Sequence, residues 1–175
     1  MVTNCLTEDP EVSVIADGRL VAGGETMTAH VGQRRWKVGA GGFWQVHPGA
    51  AEALADAVVG GLEPHQGDEA LDLYCGVGLF AGLLADRGVR VRGVEVSRQA
   101  VALARRNVPG GRFIAGRVER VLPRMSAKAN IVVLDPPRKG AGKAVVQAVA
   151  RTSPRVIAHV ACDPAALARD LHLFD

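Results

Sequence analysis

The chain has 175 residues, 48% of them hydrophobic and 22% charged, enough to bury one core and make one α/β domain. No apolar run approaches the roughly 18 residues that a membrane span needs, and no segment has the order of a signal peptide. The net charge is +3, and three widely spaced cysteines, Cys5, Cys75 and Cys162, with no paired Cys or His at metal-ligand intervals, argue against a disulfide framework or a zinc site and fit a reducing cytoplasm.

Residues 1–48 are glycine-rich and lack long helical patterns. Glu11–Ile15, Arg19–Ala22, Thr26–Val31 and Arg35–Val38 read as short strands, broken at Asp17-Gly18, Gly23-Gly24 and Gly32. This segment is expected to be the β-rich tail of a central domain, with a junction at Gly39–Gly42. From Gly49 onward a Rossmann-like domain is expected. Ala50–Val59 reads as an amphipathic helix ended by Gly60-Gly61. Strands and helices then alternate: Ala70–Tyr74 strand, Leu79–Arg87 helix, Val89–Val96 strand, Arg98–Asn107 helix, Arg112–Ala115 strand with a short helix after it. Asn130–Leu134 strand, Lys143–Arg151 helix, Arg155–Ala161 strand and Ala165–Leu173 helix complete the series. Such alternation predicts a mostly parallel sheet with helices on both faces.

Charge divides unevenly along this series. Residues 1–86 hold 4 Lys/Arg against 12 Asp/Glu and residues 87–175 hold 17 against 6, giving −8 and +11. A basic second half is what a polyanion-binding surface needs, but Arg98, Arg105, Arg106 and Arg120 also fit solvated helix faces, and charge alone leaves both readings open.

In a parallel sheet ligands bind beyond the carboxyl ends of the strands, so the residues that end each strand carry the functional information. The first core strand ends in Asp72-Leu73-Tyr74-Cys75-Gly76-Val77-Gly78. Gly76 and Gly78 let the backbone approach a ligand and open a helix; the third glycine of a dinucleotide fingerprint is missing, with Ala81 and Gly82 in its neighbourhood. Glu95 closes the second strand nineteen positions after Gly76, where a carboxylate accepts both hydroxyls of an adenosyl ribose. The fourth strand ends in Asp135-Pro136-Pro137-Arg138-Lys139-Gly140; the prolines fix φ and remove two backbone donors, so the loop leaves the sheet rigidly with Asp135 at its tip. The fifth ends in Val160-Ala161-Cys162-Asp163-Pro164. Asp163 suits a helix N-cap and Pro164 a first helical residue, which puts Cys162 just ahead of a helix N-terminus that favours a thiolate, while the adjacent Asp163 opposes it. A buried structural cysteine is the commoner role for a lone thiol; the strand-tip position points instead to a nucleophile. His47 and His159 lie near the expected site with packing or hydrogen bonding as their ordinary role, Cys75 is expected to pack beneath the glycine turn, and at least two of Trp36, Phe43 and Trp44 are expected to pack in the core rather than to stack on a base.

In chain order, Phe43-Trp44-Gln45-Val46-His47-Pro48, Leu71 through Gly78, Gly93-Val94-Glu95, Leu134 through Gly140 and Cys162 through Leu171 resemble the RNA 5-methyluridine methyltransferase family, which modifies transfer RNA or large-subunit ribosomal RNA. The resemblance runs from about Val31 to Leu171, and its most specific segments lie before Gly49 and around Cys162. It implies a class I methyltransferase fold, S-adenosylmethionine as donor with S-adenosylhomocysteine as product, and RNA as partner. It implies donor or target-base contacts for Gln45, Tyr74, Glu95 and Asp135, a donor loop that includes Asp72, Gly76 and Gly78, and Cys162 as the nucleophile that adds to carbon 6 of uracil. The pattern departs from the family at Leu79, near Arg117 and at His47. The family's catalytic glutamate and the last two strands of its sheet are expected beyond Asp175, and its iron–sulfur cysteines and N-terminal RNA-binding barrel have no counterpart here, so the chain is expected to be a fragment of a longer enzyme. The alternatives are a cytosine-C5 methyltransferase, which usually carries another cysteine where Arg138 stands, an amino-group methyltransferase, which needs no cysteine, and a catalytically silent donor- or RNA-binding module.

Overall fold

Four consecutive apolar residues, Ile131–Leu134, have no exposed surface, as a strand covered on both faces requires. The computed structural model describes residues 13–17, 19–125 and 128–174. Two antiparallel hairpins come first, β1 (Val14–Ala16) with β2 (Arg19–Ala22), and β3 (Thr26–Val31) with β4 (Arg34–Gly39). Then follow α1 (Ala50–Leu62), β5 (Glu69–Leu73), α2 (Leu79–Ala85), β6 (Arg90–Glu95), α3 (Arg98–Asn107), β7 (Arg112–Ala115) and α4 (Val118–Val121). A 3-10 turn at Leu122–Arg124 leads to β8 (Ile131–Leu134), α5 (Lys143–Ala150), β9 (Val156–His159) and α6 (Pro164–His172).

The last five strands form one parallel sheet in the order β7-β6-β5-β8-β9. Side chains alternate between its faces, as the strand period dictates. Ala70, Ile131 and Val133 join a core with α1, α2 and α3. Leu71, Leu73, Val132 and Leu134 join a second core with α4 and α5. The chain winds outward from β5 through β6 to β7, then returns to place β8 and β9 on the other side. The reversal between β5 and β8 is a topological switch point, which opens a crevice at the carboxyl ends of those two strands.

The β3–β4 hairpin is fastened to the same core. Trp36 is fully buried and lies over Gly82 of α2, where any side chain would overlap the indole. Arg34 stacks on Trp36 with its guanidinium carbon 4.7 Å from the ring centroid, donates to the Gly82 carbonyl at 3.2 Å, and bonds to Asp86 and to the Asn107 carbonyl. Asn107 completes the attachment. Its amide donates to the Lys37 carbonyl at 3.0 Å and to the Val77 carbonyl at 2.9 Å, and its oxygen accepts from the Lys37 N–H at 2.8 Å.

Several boundaries differ from the sequence expectation; β9, expected over Arg155–Ala161, spans Val156–His159, and α2, expected to reach Arg87, ends at Ala85. The first strand begins at Val14, and the expected strand residues before Ser13 lie outside the described residues. Helix α1 does not stop at Gly60-Gly61 but runs through both to Leu62. Leu62 is fully buried, and its burial outweighs the roughly 0.5–1 kcal/mol that each interior glycine costs a helix.

This comparison yields a paired prediction. Gly61 is exposed, and nothing lies within 4 Å of the position a Cβ would take, so Gly61→Ala should raise unfolding free energy by about 0.5–1 kcal/mol. Gly82→Ala should lower it by about 1–3 kcal/mol through overpacking against Trp36. Urea unfolding of the two variants checks both signs.

Candidate active site

The carboxyl edge of the sheet carries the functional residues in spatial order. At the end of β5, Tyr74 adopts a left-handed conformation with φ 65°, a strain of about 1–3 kcal/mol for a residue with a Cβ. Its N–H and that of Cys75 both donate to the Val94 carbonyl, at 2.8 and 3.2 Å, which holds the turn against β6. Gly76 follows with φ 52° and open space where a side chain would stand. Gly78 has φ 88°, and a Cβ there would lie 3.2 Å from Val108, so α3 packs close beneath the turn.

Glu95 ends β6, and both of its carboxylate oxygens are oriented by backbone amides. Oε2 accepts from the Gly76 N–H at 3.2 Å and Oε1 from the Ser97 N–H at 2.8 Å. Each oxygen keeps a further lone pair for a ligand hydroxyl. Asp72 behaves differently. It has no exposed surface, and its carboxylate turns under the loop, where Oδ2 accepts from the Ala81 N–H at 2.9 Å and Oδ1 has no partner among the described residues. Burial pushes this carboxyl up to about 7 against the opposing Ala81 hydrogen bond, and the charges of Asp135 and Glu95 add to the rise. Asp72 thus supports the glycine turn from below rather than facing the crevice.

Asp135 stands at the end of β8, across the switch point from Tyr74, with its N–H donating to the Leu73 carbonyl at 3.2 Å. Burial raises it to about 6, and nearby His159 opposes the rise. Burial raises the Tyr74 phenol to about 12, helped by Glu119 and Asp170.

Cys162 follows β9 as an exposed free thiol. Asp163 caps α6, its Oδ1 accepting from the Ala166 N–H at 2.6 Å. The cysteine shares a shallow cleft with Pro136, Pro137, Arg138, His159 and Leu167, so the thiol and the loop that follows Asp135 form two walls of one opening. Glu95 ends β6 and Cys162 follows β9, strands three interstrand spacings apart, about 14 Å, and Tyr74 and Asp135 follow the two strands between them. Cys75 is buried, with its sulfur 2.8 Å from the position a Gly93 Cβ would occupy, and burial pushes its thiol upward.

The structure therefore brings Tyr74, Gly76, Glu95, Asp135 and Cys162 to one edge. Gln45 is half-buried in the coil between β4 and α1, and its side chain forms no hydrogen bond among the described residues. Of the aromatics, Trp36 is buried, Trp44 packs against the core and Phe43 is exposed. Arg138 is exposed at the rim of the cleft, and the adjacent Lys139 is exposed. Three contributors went unread in the sequence: Ser97, Asn107 and Asp170. Ser97 has an N-cap signal, since its hydroxyl accepts from the Ala100 N–H at 3.2 Å. Asp170 lies inside α6 on the same stripe as buried Ala166, four residues before it. A recess of about 370 Å³, lined by Asp56, Glu63 and Arg87 among others, borders the amino ends of β5 and β6, opposite this edge.

Comparison with known proteins follows the same lines. The model of a family described as the methyltransferase small domain matches residues 51–159. A Streptomyces avermitilis protein named an uncharacterized RNA methyltransferase is 55% identical over 148 residues, covering 81% of this chain and 34% of its own length. A Clostridium tetani protein of the same name is 30% identical, covering 100% of this chain and 40% of its own length. This chain thus spans about a third of the length of the first curated relatives it matches. Among solved structures, the tRNA (uracil-54, C5)-methyltransferase of Pyrococcus abyssi, in complex with S-adenosyl-L-homocysteine, is similar with a TM-score of 0.76 at 30% identity, over 87% of this chain and 38% of that one. Trm5b from the same organism shares the fold at 15% identity, with a TM-score of 0.66 over 93% of this chain and 52% of that one. No helix among the described residues is long and apolar enough to cross a membrane.

The two described thiols should separate cleanly. With iodoacetamide on the folded protein, peptide mass spectrometry should find Cys162 alkylated and Cys75 untouched until denaturant is added. The buried carboxyl gives a pH test. A carboxyl raised from 3.8 to about 7 favours folding while it stays protonated, so its contribution is fully present below the unfolded value and is lost as pH rises towards 7. Asp72→Asn should therefore lose less stability than the wild type between pH 5 and pH 7, by about 2–3 kcal/mol, as read from urea unfolding at the two pH values.

Proposed function

Because this chain belongs to the methyltransferase small-domain family, whose methyl donor is S-adenosylmethionine, we propose that it is the catalytic part of an RNA methyltransferase that forms 5-methyluridine through a covalent cysteine adduct. The observation that carries this reading is the exposed thiol of Cys162 in the cleft walled by the Asp135 loop, on the edge that also bears Glu95. An amino-group methyltransferase has no use for that thiol.

The donor fits the residues of the edge. Glu95, fixed by the Gly76 and Ser97 amides, accepts the two ribose hydroxyls, and the open space beside Gly76 leaves room for the nucleoside. Tyr74 and Asp135, one strand apart at the switch point, flank the place where the methyl is handed over, and Gln45 joins them from the coil before α1. S-adenosylmethionine supplies an electrophilic methyl on a sulfonium.

Carbon 5 of uracil is too weak a nucleophile to take that methyl directly. The Cys162 thiolate adds to carbon 6, and the electrons of the carbon 5–carbon 6 double bond move onto the carbon 4 oxygen as an enolate. Carbon 5 then forms its bond to the methyl carbon while the sulfur–methyl bond breaks and its electron pair stays on the donor sulfur. A base removes the proton from carbon 5, the double bond re-forms, and the thiolate leaves from carbon 6. The base must be unstacked from RNA to enter the cleft, and exposed Arg138 stands at its rim, beside exposed Lys139, to meet phosphates.

A fluorine at carbon 5 cannot leave as a proton does, so an RNA that contains 5-fluorouridine should arrest at the adduct. Incubation with this RNA and S-adenosylmethionine should give a band that survives denaturing electrophoresis, and Cys162→Ser should abolish it. A band that persists in the serine variant would end the assignment of Cys162 as nucleophile.

A further inference from the structure

A buried carboxylate persists only where donors surround it. Asp170 on α6 and His159 at the end of β9 have side chains only 3% and 6% exposed, and His159 Nε2 lies 3.1 Å from Asp170 Oδ2. The same carboxylate accepts the N–H of Ala141 at 2.6 Å and of Gly142 at 2.9 Å. The carboxylate is acceptor-only, so Nε2 is the donor, which leaves Nδ1 of His159 as a buried atom without a partner among the described residues. Gly140 has φ 88°, and a Cβ there would lie 2.8 Å from Asp170 Oδ2, so the 140–142 turn wraps the carboxylate with no room for a side chain.

The placement of these bonds matters more than their number. One wall of the cleft, Pro136-Pro137-Arg138, runs directly into Gly140. The other wall carries Cys162 between His159 and Asp170. Asp170 joins the two walls, and His159 both lines the cleft and fixes the carboxylate that does so. A residue kept only for packing has no reason to bury an unpartnered nitrogen, which an apolar side chain of that size avoids.

We propose that His159 and Asp170 are positioning residues that set the width of the cleft, holding the Pro136–Pro137 wall at a fixed distance from the Cys162 sulfur so that a flat pyrimidine ring presents the face of its carbon 6 to the thiolate. The occupant rests on the function proposed above; the clamp itself rests on the hydrogen bonds alone.

The test compares His159→Leu, His159→Gln and Asp170→Asn with the wild type. Glutamine carries an amide nitrogen at nearly the reach of Nε2 and so keeps the donor. Hydrogen exchange at the Ala141 and Gly142 amides should quicken about tenfold or more in His159→Leu and Asp170→Asn and return close to wild type in His159→Gln. The adduct-forming rate with 5-fluorouridine RNA should fall about tenfold to a hundredfold in His159→Leu with little change in half-saturating RNA, and His159→Gln should recover most of it. Affinity for S-adenosylhomocysteine should stay within about twofold in all three, since Glu95 and the glycine turn are untouched.

Unchanged exchange at Ala141 and Gly142 in both disabling variants would overturn the clamp. So would a wild-type adduct rate in His159→Leu, or a loss that glutamine fails to rescue. If His159→Leu does not fold, Asp170→Asn and His159→Gln decide the question by exchange. If the wild type itself forms no adduct, the function proposed above fails while the exchange measurements still judge the clamp.

Discussion

Parallel pairing places the carboxyl ends of all five strands on one edge, and the reversal of strand order between β5 and β8 parts the loops there into a crevice. Every feature of chemical interest depends on that constraint. Tyr74, Glu95, Asp135 and Cys162 are separated by dozens of residues in sequence and meet only because each follows a strand that points the same way. The supporting features serve the same end. The strained φ of Tyr74, the two glycines after it and the Asn107 amide that bonds to Val77 all fix the turn that leaves β5. The Trp36–Gly82 contact fixes the helix that this turn opens into.

The electrostatics of the edge follow from what the sheet buries there. Asp72 and Asp135 are both raised by desolvation, and Asp72 further by its neighbours Asp135 and Glu95. A cluster of carboxyl groups that resists ionisation gains when a cation arrives, because an opposite charge favours the charged form. On the proposed reading that cation is the sulfonium of the donor.

Sequence and structure agree where local pattern and tertiary burial point the same way. The strand–helix alternation after Glu69 was legible because parallel strands buried on both faces read as apolar runs, and because Asp163 marks a helix start with a recognisable cap. Glu95 was legible as a strand-end residue, whereas Cys162, read at a strand tip, lies in the loop beyond His159, the last residue of β9. Gly60-Gly61 misled because glycine propensity is local, whereas the burial of Leu62 against the rest of the core is not. Asp72 was legible as part of a motif, but nothing in its spacing tells that its carboxylate turns beneath the loop instead of toward a ligand. The Asp170–His159 link was invisible for a related reason. It joins β9, α6 and the 140–142 turn, and a contact between three elements leaves no period in the sequence.

The account turns on one array that runs from Glu95 through Tyr74 and Asp135 to Cys162. A crystal structure of the protein with S-adenosylhomocysteine tests it most directly. The account predicts ribose hydroxyls on the Glu95 carboxylate and the ligand sulfur between Tyr74 and Asp135, on the side from which Cys162 faces the cleft. A nucleoside seated elsewhere, such as the recess by Asp56, Glu63 and Arg87, or a ligand sulfur directed away from Cys162, would contradict it.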